Sequence, residues 1–253
     1  VATTGLSQII ELADTFELPD TNLRRIIKTK LQSDLSSIAQ IIPELAAWKS
    51  EVNSPLLLTS VSGKIIEVSS SNNGIELNQI PSATHDVVAF AFGDDLTNVE
   101  LLLAKFITSF DLTKLLGFEA VDDATWNSNV TELMLLNRKI HSIELLDFLK
   151  KVELLELLNL MRQIAHLISN KVPVIVDGSR ALLAASTLAE INASARSWVL
   201  VADQPRSPVG TALVKAANWS LVSVNGISIG DGMSAIAAIS LLKNAAIRLK
   251  SLN

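Results

Sequence analysis

The chain has 253 residues, of which 49% are hydrophobic and 19% charged, enough apolar matter for a sizeable core and too much for a disordered or low-complexity protein. Lysine and arginine total 21 against 26 acidic residues, a net charge of -5 with no basic stripe, so nucleic acid is not an expected partner. Cysteine is absent and the three histidines, His85, His141 and His166, stand far apart, which excludes a disulfide framework and a thiol nucleophile and leaves no metal-ligand spacing.

Leu6, Ile9, Ile10, Ala13 and Phe16 recur at helical spacing, and Leu18-Pro19-Asp20 stops that helix. A second helix opens behind Asp20 or Thr21 as N-cap and carries Leu23, Ile26, Ile27 and Leu31. A third runs through Leu35, Ile38, Ile41 and Ile42, with Pro43 expected to kink or restart it near Trp48. Residues 55–61 form the first strand candidate, and the polar stretch from Val68 to Thr84 reads as an exposed loop. These features divide the chain into a small helical segment, 1–54, and an α/β domain, 55–253.

From Asp86 onward strands and helices alternate. Val87 to Phe92 is a continuous apolar run, as in a strand buried on both faces. Helices are expected over 98–110 and 125–141, and Ser142 to Ser169 is helical with a break near Lys150-Lys151. Then come a strand over 172–176, a helix over 180–191, a strand over 198–202, a helix over 209–217, a short strand over 221–224 and a terminal helix over 234–252. This alternation predicts a three-layer α/β fold with a mostly parallel, Rossmann-like sheet flanked by helices. Leu154, Leu155, Leu157, Leu158, Leu160 and Met161 leave almost no polar face, so their helix needs cover on more than one side and a stable monomer is not expected. No apolar run reaches the roughly 18–20 residues that span a bilayer. Residues Val1 to Ser7 lack a basic segment followed by an apolar core, so the expectation is a cytoplasmic protein without a membrane partner.

Ligands of open parallel sheets bind beyond the carboxyl ends of the strands. Three turns there are polar or glycine-bearing: Gly93 to Asn98, Asp177-Gly178-Ser179-Arg180, and Gly226 to Ser234. Glycines in such turns let backbone N–H groups approach an anion, although turn geometry alone also calls for them. Asp231, between Gly230 and Gly232, is a candidate base on a tight turn and equally a candidate helix N-cap.

The order of these segments resembles the nicotinate-nucleotide:dimethylbenzimidazole phosphoribosyltransferases, which make the nucleotide loop of cobamides. Val172-Pro-Val-Ile-Val-Asp-Gly-Ser179 is similar to their Pro-Val-(apolar)-(apolar)-Asp-Gly turn, and Ile229 to Ala238 to the C-terminal Gly-Glu-Gly motif that carries the catalytic carboxylate. Val121-Asp122-Asp123 with Asn137 to Ile140 resembles the Leu-Asp-Asp and Arg-Lys-(apolar) segment, whose lysine contacts the nucleotide phosphate. Ile143 to Leu154 is similar to the helical stretch flanking the Gly-Gly-Phe-Glu-Ile motif, and Asp86 to Gly117 sits where the family has a strand and a Gly-x-Gly-Asn-Thr turn. The likeness runs collinearly from Asp86 to the C-terminus and is faint over Leu23 to Trp48. It implies Asp231 as the catalytic carboxylate and Thr97, Asn98, Lys139, Asp177, Gly178, Ser179, Gly230 and Gly232 as substrate- and phosphate-binding residues, with no metal and no cofactor.

The departures are specific. The glycine-rich turn becomes Asp94-Asp95-Leu96-Thr97-Asn98, the Gly-Gly pair becomes Lys150-Lys151, and the catalytic glutamate becomes Asp231, one methylene shorter. A compact family member with a damaged site follows. Its expected role is the non-catalytic or site-completing chain of a heterodimer with a motif-complete phosphoribosyltransferase subunit, acting on nicotinate mononucleotide and an aromatic base. The alternatives are a self-sufficient homodimeric transferase of altered base specificity, and a non-catalytic binding or regulatory protein on the same scaffold.

Overall fold

The computed structural model describes residues 2–49, 63–68 and 86–251, except 33, 35, 94, 118–122, 141–143 and 153. Its centre is a parallel sheet of β1 (Gly63–Val68), β2 (Val87–Phe92), β3 (Val174–Asp177) and β4 (Val199–Val201), in the order β1-β2-β3-β4. Val88 lies opposite Val174, and Val174 opposite Val199. Every residue of β2, β3 and β4 is buried, which is why these strands read as unbroken apolar runs rather than alternating ones.

The expected strand at 55–61 lies outside the described residues, and β1 occupies the stretch between it and the polar segment that follows. The expected strand at 221–224 is reduced to one parallel bridge, Val201 to Leu221. Ser223 Oγ and the Asn225 N–H both donate to Asp203, and these bonds turn the chain off the sheet edge after a single pairing.

Eleven α-helices are described: α1 (Ala2–Ala13), α2 (Thr21–Lys30), α3 (Ser37–Lys49), α4 (Asn98–Thr108), α5 (Leu112–Leu116), α6 (Asp123–Ile140), α7 (Leu145–Lys151), α8 (Leu155–Ser169), α9 (Ser179–Ile191), α10 (Pro208–Ala217) and α11 (Met233–Ser251). Asp20 caps α2 by accepting the Leu23 N–H at 2.8 Å. Pro43 does not restart α3, which runs on through it. Ile41, Ile42, Leu45 and Ala46 are buried where α3 meets α2 and α11, and this packing offsets the hydrogen bond a proline removes. Inside 142–169, α7 ends at Lys151, Val152 is extended, and α8 begins at Leu155.

Helices flank the sheet. α9, backed by α4, α8 and α10, packs on β2 and β3, while α11, backed by α3, packs on β1, β2 and β3. The cover that α8 requires comes from its own chain: α1 and α9 pack on it and bury Leu157, Leu158, Leu160 and Met161, leaving Leu155 exposed. Three side-chain bonds fasten the N-terminal helices to the start of β4: Trp198 Nε1 donates to the Glu17 carbonyl at 2.6 Å, Trp48 Nε1 to that of Ser197 at 2.7 Å, and Asn192 Nδ2 to that of Ala13 at 2.8 Å. No helix among the described residues is long and apolar enough to cross a membrane.

Candidate active site at the carboxyl end of the sheet

The three turns singled out in the sequence meet at the carboxyl ends of β2 and β3. Gly178 and Gly230 have φ of +87° and +76° and stack against the end of β2. A Cβ on Gly178 would clash with the Phe92 carbonyl and come within 2.6 Å of Gly230 Cα; one on Gly230 would lie 2.7 Å from Gly93 N. Only glycine satisfies both the left-handed backbone and this approach.

Asp177, the last residue of β3, is buried beneath these turns. Ser228 Oγ donates to its Oδ1 at 2.6 Å and accepts the Gly178 N–H at 3.1 Å, while the Ala235 N–H approaches Oδ2 at 3.4 Å. Burial pushes the Asp177 carboxyl above the usual carboxylate range, against the hydrogen bonds from Ser228, Ala235 and Gly230, and the neighbouring charge of Asp231 pushes the same way. Asp177 therefore braces the turn that carries Asp231 from both sides. Asp231 itself is exposed, and its Oδ1 accepts the Met233 N–H at 3.0 Å at the first turn of α11. Gly232, buried, continues the turn at φ +88°.

At the neighbouring turn, Thr97 caps α4. Thr97 Oγ1 accepts the Glu100 N–H at 3.3 Å, and Glu100 Oε2 accepts the Thr97 N–H at 2.7 Å and its hydroxyl at 3.0 Å, a reciprocal capping box. Asn98 is the first residue of α4. Ser179 opens α9, and its hydroxyl bonds that of Ser207, the N-cap of α10, whose Oγ also accepts the Gly210 N–H at 3.0 Å. Lys139 lies near the end of α6, which packs on α4 and α5. Asp94 falls outside the described residues, Asp95 is exposed, and Lys150 pairs with Asp147 at 3.2 Å on the surface of α7.

Two features are absent from the sequence reading. Arg180 and Glu100 form a buried ion pair at 2.8 Å between the first turns of α9 and α4. Asp203, just past β4, is buried and accepts from Ser223 Oγ at 2.6 Å, Asn225 N at 2.7 Å and Ile227 N at 2.7 Å. A signal for Asp203 exists: Val199-Leu-Val-Ala-Asp203 repeats the apolar-strand-then-aspartate pattern of Val174-Ile-Val-Asp177. The two aspartates hold successive parts of one loop. Among the described residues no group of three or more histidine, aspartate or glutamate side chains is gathered as metal ligands.

The site thus sets glycine-lined backbone beside a buried carboxyl, Asp177, with an exposed one, Asp231, at the rim. The family model DBI_PRT, described as Phosphoribosyltransferase, matches residues 97–253. No curated protein matches the chain. Among solved structures, CobT from Thermus thermophilus is similar at a TM-score of 0.58 and 16% identity over 66% of this chain and 51% of that one. A nicotinate-nucleotide-dimethylbenzimidazole phosphoribosyltransferase structure from the same organism gives a TM-score of 0.57 and 14% identity over 84% and 55%. At such identities the likeness is one of fold, and the chain spans about half the length of each solved relative. The match over residues 97–253 includes the turns of Thr97, Asp177 and Asp231, and the chain belongs to the nicotinate-nucleotide:dimethylbenzimidazole phosphoribosyltransferase family.

Proposed function

We propose that this chain is the site-completing, non-catalytic subunit of a heteromeric nicotinate-nucleotide phosphoribosyltransferase in cobamide synthesis. In the proposed reaction a carboxylate takes a proton from the incoming aromatic base. The freed nitrogen lone pair forms a bond to the ribosyl carbon as the bond to nicotinate breaks, and nicotinate leaves with that electron pair. A motif-complete partner supplies the carboxylate; this chain supplies scaffold and turns. The complex is proposed to act in the cytoplasm.

The observation that carries the reading is that three of the site's polar side chains, Thr97, Ser179 and Asp231, are already engaged within the chain. The Thr97 N–H and hydroxyl are bound to Glu100, the Ser179 hydroxyl to Ser207, and the Asp231 carboxylate to the Met233 N–H. A phosphate arriving at the first turn of α4 meets donors that already hold a carboxylate. Replacing an attractive contact by a like-charge one at about 4 Å costs several kcal/mol at an effective dielectric of about 20, enough to remove millimolar binding.

The test is release of nicotinate from nicotinate mononucleotide in the presence of dimethylbenzimidazole. The purified chain is expected to give none above background, and addition of a motif-complete family member is expected to give turnover exceeding that of the member alone. Ordinary turnover by the isolated chain overturns this reading and establishes the homodimeric transferase. No gain on mixing leaves the non-catalytic binding protein.

A further inference from the structure

We infer that Glu100 is an internal anion: its carboxylate fills an anion seat between the first turns of α4 and α9, which accepts an external oxyanion of carboxylate size only when Glu100 is removed. The donors that line the seat are the Thr97 N–H at 2.7 Å, the Thr97 hydroxyl at 3.0 Å, Arg180 Nε at 2.8 Å and Arg180 Nη2 at 3.2 Å. Both ionic side chains are sequestered, with 9% of Arg180 and 4% of Glu100 exposed. One backbone N–H, a hydroxyl and a guanidinium fork converging on one carboxylate are elements with which proteins bind free carboxylates and phosphates.

The seat's donors are also held by contacts other than Glu100. Arg180 Nη2 also donates to the Asp95 carbonyl at 2.6 Å, its guanidinium lies 5.7 Å from the centre of the Phe92 ring, and Nη1 approaches Glu156 Oε2 at 3.8 Å. Thr97 is held by the Leu101 N–H, which donates to its carbonyl at 2.9 Å. Truncating Glu100 leaves these donors around a void of carboxylate size, with a buried cation whose remaining acidic neighbour is the exposed Glu156 at 3.8 Å. Such a cation is strongly destabilising, and an anion that binds only the folded chain restores stability by mass action. In the intact chain the same contact closes the first turn of α4 to any incoming anion. This inference is independent of the transferase reading, because its probe is formate and its readout is stability.

The experiment is thermal unfolding of Glu100→Ala and the unaltered chain in sodium formate and in sodium chloride of equal ionic strength. Glu100→Ala is expected to melt lower than the unaltered chain in chloride and to gain about 3–6 °C in formate at around ten times its dissociation constant. The unaltered chain is expected to respond alike to both salts. Equal responses of the folded variant to formate and chloride overturn the inference. Should Glu100→Ala not fold in chloride, refolding in formate supports the inference and failure to refold there overturns it. The double variant Glu100→Ala/Arg180→Met, which removes the charge with its partner, is expected to fold and to show no formate-specific shift; a shift of the single variant's size in the double variant also overturns the inference.

Discussion

Ser228 and Asp177 are joined by a 2.6 Å hydrogen bond across 51 residues of sequence, and the same serine oxygen accepts the Gly178 N–H at 3.1 Å. One buried hydroxyl thus fixes the end of β3, the turn after it and the loop that carries Asp231. Ser228→Ala removes a donor from a buried carboxyl and strands a buried N–H in one change. The expected loss is about 1–3 kcal/mol in urea unfolding, with an unchanged m-value because the folded surface is the same.

Gly230 and Gly93 lie at the junction of two turns, yet they differ in what they tolerate. At Gly230 the backbone is left-handed, φ +76°, and a Cβ would be 2.7 Å from Gly93 N and in collision with the Phe92 carbonyl. Gly230→Ala is expected to cost about 2–4 kcal/mol, because strain and overlap act together. A Cβ on Gly93 meets nothing within 4 Å, and Gly93→Ala is expected to stay within about 0.5 kcal/mol of the unaltered chain. Chemical denaturation of the two variants side by side checks the contrast.

The sheet was legible in the sequence because strands buried on both faces, such as Val87 to Phe92, carry their burial in their composition. The convergence of the Gly93, Asp177 and Asp231 turns was legible because parallel strands bring successive carboxyl ends to one side. What escaped depends on tertiary pairing. Glu100 reads as an ordinary first-turn acid of α4, and Arg180, eighty residues later, as the last residue of the Asp177 turn where α9 begins; nothing local says that they neutralise each other. The strand expected over 221–224 looked regular because its hydrophobic pattern cannot register Asp203, which draws Ser223, Asn225 and Ile227 away from the edge. The apolar α8 was misleading as a sign of a second subunit, since α1 of the same chain supplies the cover.

Asp203 and Asp177 give the protein opposite pH signatures. Burial pushes the Asp203 carboxyl up, but the Ser223 hydroxyl and the Ile227, Asn225 and Gln204 N–H groups outweigh it and hold it below the usual range. Its contribution to stability is full above the unfolded carboxylate value of about 3.9 and is lost as pH falls through the lower folded value. Asp177, raised chiefly by burial, disfavours folding above its folded value and ceases to do so as pH falls toward the unfolded one. Asp203→Asn is expected to cost about 2–4 kcal/mol at neutral pH, with the difference from the unaltered chain shrinking below about pH 4. Urea titrations from about pH 3 to 7 measure this, and a pH-independent difference contradicts the assignment.

The Asp231 carboxylate is the group whose role separates a catalytic chain from a supporting one. It is exposed, and its Oδ1 is taken up by the Met233 N–H at 3.0 Å, two residues along, where α11 begins. That is an Asx turn one residue ahead of the N-cap, Gly232, whose carbonyl accepts the Ile236 N–H, and its loss in Asp231→Ala is expected to cost about 0.5–1.5 kcal/mol of stability. Removing a general base from the reacting centre lowers turnover by about a hundred- to ten-thousandfold. In the proposed complex with a motif-complete partner, Asp231→Ala is expected to lower kcat by less than about threefold, with the stability loss measured in parallel to exclude unfolding as the cause. A kcat loss of about a hundredfold at an unchanged KM places the proton transfer on this chain. The aspartate, one methylene shorter than the family's glutamate, then reaches the base despite its bond to Met233, and Asp231→Glu becomes the variant that shows whether the missing methylene limits the rate.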